Sequence, residues 1–154
     1  MREIKFRGKE GKTGKWIYGA FFKHERYTRC PFITSGEEMP PPEYIYLIIN
    51  SGFSDRNCPR PIDAYSVDPG TVGQYTGLKD KNGREIYEGD IVKDEKGELA
   101  YVAFLKQEVG FVLVYKNSDS RFGHRNRGGN YDIDFGLEVI GSIHDNPELL
   151  EGSA

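Results

Sequence analysis

The stretch from Val67 to Val92 constrains the fold more than any other, because it is dense in turn-forming residues and almost empty of reactive ones. Asp68-Pro69-Gly70 and Asn82-Gly83 supply the backbone conformations that tight turns require: proline fixes one dihedral and glycine accepts a positive φ. Between them, Val72-Gly73-Gln74-Tyr75-Thr76 and Glu85-Ile86-Tyr87 read as short strands. Such a block specifies architecture and says nothing of chemistry.

The same alternation of strand and turn runs through the rest of the chain. Glu3 to Arg7 places Ile4 and Phe6 on one face and charges on the other, the period-two pattern of a half-buried strand. Gly8 to Gly14 reads as a turn region and Lys15 to Phe22 as the returning strand of a hairpin. Lys23 to Pro42 is expected to be a mobile loop, because Cys30-Pro31 and Pro40-Pro41-Pro42 exclude a helix or a central strand. Tyr44 to Ile49 is a continuous β-prone run, predicting a strand buried on both faces or the centre of an N-terminal sheet. Beyond Leu78 the expected strands are Arg84 to Lys93 with a bend at Glu88-Gly89-Asp90, then Leu99 to Leu105, Gly110 to Tyr115 and Leu137 to His144. Turns are placed around Lys96-Gly97 and Val109-Gly110, and Asn146-Pro147-Glu148 reads as a capped helical turn.

A chain of 154 residues buries a useful interior without metals or disulfides. Its two cysteines, Cys30 and Cys58, read as free thiols of a reducing cytoplasm. The first 76 residues carry a net charge of +2 and the remainder −5, which argues against a broad nucleic-acid surface. The N-terminus alternates charged with apolar residues where a signal peptide needs an apolar run, and Tyr44 to Ile49 is too short to cross a bilayer.

Phosphate loops, dinucleotide fingerprints, nucleophile elbows and zinc-ligand clusters are absent from the sequence, so catalysis, metals and cofactors are not expected. His24, His124 and His144 are far apart in sequence. The carboxylates Glu85, Glu88, Asp90, Asp94 and Glu95 crowd one hairpin; a cation site or a hydrolase is the least favoured reading, and satisfaction of turn amides the favoured one. Trp16, Tyr18, Tyr75 and Tyr87 could line a peptide groove, but in alternating strands such rings usually pack inside. Ser118 to Tyr131 is the one segment composed to grip phosphates and stack on bases: Arg121, His124, Arg125 and Arg127 alternate with Phe122, Tyr131 and glycines, and residues 116 to 131 carry +3 before His124. Arg121, His124, Arg125, Arg127 and Tyr131 are therefore the candidate binding residues, with nucleic acid as the alternative partner.

The central block, VDPGTVGQYTGLKDKNGREIYEGDIV, resembles the signature of the YopX family of phage and prophage proteins. Arg2 to Arg7 followed by Lys15-Trp16-Ile17-Tyr18-Gly19 is similar to that family's opening, and Leu137 to Leu150 to its closing EVIGNIYENPELL pattern, with departures at Ser142 and His144-Asp145. In Lys23 to Ser66 no resemblance to the family is recognised. The resemblance implies a phage or prophage origin and a place in the bacterial host cytoplasm, and it implies no reaction. The expected protein is mainly β: an N-terminal β region with proline-rich loops (1–76) packed on a C-terminal SH3-like, partly open antiparallel barrel (77–150), and a short tail (151–154). It is expected to bind or assemble rather than catalyse, as a homo-oligomer or with a host or phage protein, and away from membranes.

Overall fold

Residues 1, 3–26, 41–51, 61–107, 109–116 and 136–151 are described by the computed structural model, and over them the chain is mainly β, as expected. The strands are β1 (Phe6–Lys9), β2 (Trp16–Glu25), β3 (Tyr44–Ser51), β4 (Ile62–Ser66), β5 (Gly73–Lys79), β6 (Glu85–Tyr87), β7 (Asp90–Lys93), β8 (Leu99–Leu105), β9 (Gly110–Tyr115) and β10 (Glu138–Ser142). A 3-10 turn, Pro69–Thr71, follows β4, and α1 (Glu148–Glu151) follows β10. Among the described residues no helix is long and apolar enough to cross a membrane. The chain divides into two units, Lys5–Val72 and Met1–Ile4 with Gly73–Ala154.

In the Lys5–Val72 unit the strands lie in the order β4-β3-β2-β1, every pair antiparallel. The sheet curls: Glu10, just past β1, makes an isolated bridge to Val67, just past β4, and the Asp68 amide donates to the Lys9 carbonyl at 2.9 Å. Its inner face is aromatic. Phe6 packs on Phe21 at 5.6 Å between ring centres, Phe21 stacks on Tyr46 at 6.2 Å, and fully buried Ile48 lies between Phe21 and Tyr65 in the ladder. Gly8, expected in a turn, is a strand residue on this face, where an added Cβ would meet the Val67 side chain at 3.1 Å; close approach, not bending, is its use. β2 runs on to Glu25, because Lys23, His24 and Glu25 find partners in Tyr46, Ile45 and Tyr44, so these three are strand where a loop was expected; residues 27–40 lie outside the described residues. Cys30 and Cys58 also lie outside them.

In the other unit β10-β7-β8-β9 form an open antiparallel sheet and β5 with β6 a hairpin. A partly open barrel was expected here, and among the described residues the strands form antiparallel sheets without a closed barrel. Ile86, Val92, Ala100, Val102, Leu137 and Val139 make the core, flanked by Leu78, Phe111, Leu113 and Tyr115, so that β5 to β10 each contribute. Full burial of an Ile or Val side chain contributes about 2 kcal/mol, which makes this aliphatic cluster the main stabilising element of the unit.

Two turns of this unit share one design. In Asp80 to Arg84 and in Asp94 to Glu98 the first and fifth residues join through the backbone, the glycine (Gly83, Gly97) takes a φ of 83°, and the aspartate Oδ1 accepts two later amides. The Asp-x-x-Gly-x spacing thus writes a hairpin directly into the sequence: the side chain satisfies amides the turn leaves open, and glycine takes the left-handed position. Gly70 differs from the expectation. It is not among the positive-φ glycines but sits in the 3-10 turn, its amide donating to Asp68 Oδ1 at 2.9 Å. At the β8–β9 turn the left-handed residue is Val109, with φ of 51°, not the glycine after it.

Candidate interaction surface

Strand alternation sends every second residue of a curled sheet outward, and outward positions are ordinarily polar. In β2 these positions are Trp16, Tyr18, Ala20, Phe22 and His24; in β3 they are Ile45, Leu47, Ile49 and Ser51; in β4, Ile62, Ala64 and Ser66. None is Asp, Glu, Lys or Arg. The ladder aligns them in rows, Ala20–Ile49–Ala64 and Phe22–Leu47–Ser66, so the apolar groups are contiguous. Tyr18 is 44% exposed, Phe22 50% and Ile62 79%.

The reason lies in β3. Tyr44-Ile45-Tyr46-Leu47-Ile48-Ile49 is apolar at both parities, so one set of side chains enters the interior with Ile48 and the other faces outward. The run lies between β2 and β4, as expected of an interior strand; within it Ile48 alone is buried, Tyr44 of the same parity is exposed, and Ile45, Leu47 and Ile49 are half-buried. At one end of the outer face the Arg7 guanidinium lies 4.4 Å from the centre of the Trp16 ring and the Lys9 ammonium 5.4 Å from it. At the other, His24 stacks on Phe22 at 6.1 Å.

The remaining sequence candidates divide. Tyr75 and Tyr87 pack on each other at 5.4 Å and are 5% and 2% exposed, which makes them interior rings, while Tyr18 is open. The hairpin carboxylates hold local structure: Glu85 accepts from the Tyr87 hydroxyl at 2.9 Å, Asp90 from the Tyr87 amide at 2.8 Å, and Asp94 from the amides of Lys96 and Glu98. Among the described residues no three of His, Cys, Asp or Glu gather as metal ligands. An open cleft of about 650 Å³ beside the Asp94 turn is lined by three lysines and three carboxylates, with Lys81 and Glu138 paired at 2.6 Å, so its charges compensate. Arg121, His124, Arg125, Arg127 and Tyr131 lie outside the described residues.

Asp80 was not singled out from sequence, and its carboxylate accepts three backbone amides. Oδ1 accepts from the amides of Asn82 (2.8 Å) and Arg84 (2.9 Å), while Oδ2 accepts from the Val139 amide at 3.0 Å, across 59 residues. Burial by itself raises its pKa; the amides of Val139, Arg84 and Asn82 and the Arg84 charge outweigh that, and the carboxyl sits below its ordinary value. The Asp-x-x-Gly spacing announces the local half of this role. Nothing local announces Val139.

A family model described as "YopX protein" matches residues 5–151. Among solved structures the chain is similar to the crystal structure of protein EF1440 from Enterococcus faecalis, at 23% identity and a TM-score of 0.48, over 97% of this chain and 99% of that one. No match is found among curated proteins.

Proposed function

This chain belongs to the YopX family, and we propose that it is a phage- or prophage-encoded binding or assembly protein of the bacterial host cytoplasm, without catalytic activity. The observation that supports this reading is the outward face of β2 to β4, where Tyr18, Phe22 and Ile62 are exposed in rows that carry no formal charge. Contiguous apolar surface of this kind is retained where a partner covers it. The outward positions of β2 to β4 carry no Lys or Arg, and Arg7 and Lys9 stand only at the Trp16 end, which suits a protein partner better than a phosphate backbone, which needs Lys or Arg to meet it.

Affinity capture from induced host cells tests the proposal, with the wild type and the double variant Phe22→Ser, Ile62→Ser. The expected result is one stoichiometric protein recovered by the wild type and lost by the variant. Melting temperature should hardly move, because exposed substitutions change stability by about 0.5 kcal/mol or less. Equal recovery by both proteins would overturn the role of this face. Recovery of many proteins in a nuclease-sensitive manner would transfer the role to Arg121, Arg125 and Arg127, and turnover in a phosphatase, nuclease and esterase screen would remove the non-catalytic reading.

A further inference from the structure

The sheet β10-β7-β8-β9 has two outer strands among the described residues, and they are built differently. β10 carries the devices that keep a sheet edge from pairing: a register shift between Val139 and Gly141, and a charged residue, Glu138, joined to Lys81. Among the described residues β9 carries none of them. Gly110-Phe111-Val112-Leu113-Val114-Tyr115 has no charge and no proline, and its six-pair ladder with β8 runs from Leu105↔Gly110 to Ala100↔Tyr115 without a shift. Both of its faces are apolar and at least partly covered, with Phe111, Leu113 and Tyr115 against the core and Val112 5% exposed on the other side. That is the composition of a strand with neighbours on both sides.

The direction of the backbone follows from one bond. The Lys116 amide donates to the Leu99 carbonyl at 3.1 Å, so even-numbered residues of β9 turn toward β8, and Phe111 and Leu113 direct their amides and carbonyls away from it.

We infer that β9 is an assembly edge whose occupant is β9 of a second copy of this chain, paired antiparallel about a two-fold axis at Leu113. A two-fold axis reverses strand direction, so a strand that pairs with its own copy meets its own sequence read backwards. Phe-Val-Leu-Val-Tyr is the same chemistry in both directions. In this register Phe111 faces Tyr115 of the second copy, Val112 faces Val114, and Leu113 faces itself, giving aromatic and β-branched pairs of the kind that stabilise antiparallel ladders. Lys116 falls opposite Gly110, so no like charges meet. The axis at an odd-numbered residue also matches the outward direction of the Leu113 backbone. An unrelated peptide would have no need of the palindrome. This edge is a different surface from the outer face of β2 to β4, and either assignment can fail alone.

Sedimentation velocity over a concentration series and amide hydrogen exchange on the full chain test the inference together. The wild-type mass should climb toward that of a dimer, and the exchange of the Phe111 and Leu113 amides should slow as concentration rises. Leu113→Lys sets two ammonium groups on the axis and should lose the dimer, while Leu113→Met should keep it. A wild-type protein that stays monomeric would overturn the inference. So would a dimer in which these two amides exchange at a concentration-independent rate, a readout on the wild type that holds even if Leu113→Lys fails to fold.

Discussion

The two sheets of this protein solve the same packing problem by different means. The β1 to β4 sheet curls around large aromatic rings and brings its ends together at Glu10 and Val67, leaving an outward face that is also apolar. The β7 to β10 sheet, with the β5–β6 hairpin, buries a small aliphatic cluster and ties its turns with Asp80, Asp90 and Asp94. Where the first is held by side-chain area, the second adds carboxylate-to-amide locks at the Asp80, Asp90 and Asp94 corners. The difference teaches where the two sheets put their apolar groups: in the first, the outward positions of β2 to β4 are apolar as well as the inner ones, whereas in the second the buried aliphatic cluster takes most of them.

Three perturbations sharpen or break this contrast. Ile86→Ala removes most of a fully buried side chain from the aliphatic core and should cost about 3 kcal/mol in chemical denaturation. A loss near 0.5 kcal/mol, the size expected for exposed Phe22 or Ile62, would mean that the cluster is not the core of its unit.

Asp80→Asn should cost about 2 kcal/mol, since it weakens three charge-assisted amide bonds at once. The sign with pH follows from the lowered carboxyl. The folded chain holds the Asp80 proton less tightly than the unfolded chain does, so the contribution is complete above the ordinary aspartate range and disappears as pH falls through the folded value. Wild-type stability should therefore drop more steeply in acid than that of Asp80→Asn, and parallel profiles would show that the lock contributes nothing. The smallest effect is a gain. Val109→Gly relieves a β-branched residue at φ of 51° and should add about 1 kcal/mol, visible as a raised midpoint; a lowered midpoint would show that the turn relies on the valine side chain.

Much of this contrast was legible in the residues. The strands at Glu85–Tyr87, Asp90–Lys93, Leu99–Leu105, Gly110–Tyr115 and Glu138–Ser142 coincide with the segments read from alternation, because glycine and proline act on the backbone where they stand. Lys23 to Glu25 did not read as strand, since what makes them strand is the ladder to Tyr44, Ile45 and Tyr46 some twenty residues away. The outward apolar face was legible in part: Tyr44 to Ile49 is β-prone and apolar at both parities, but Phe22 and Ile62 gave no sign that they would share a face.

By itself, then, the amino-acid order determined where this chain turns and which segments extend, because those properties depend on neighbours a few bonds apart. Tertiary structure alone decided that Asp80 reaches Val139, that one parity of β3 faces outward, and that among the described residues β9 is an outer strand while β3 lies between two others. Strand order and register are set by which distant segments gain most from being covered, and a linear pattern of apolar residues is the same whether its second neighbour is in this chain or in another.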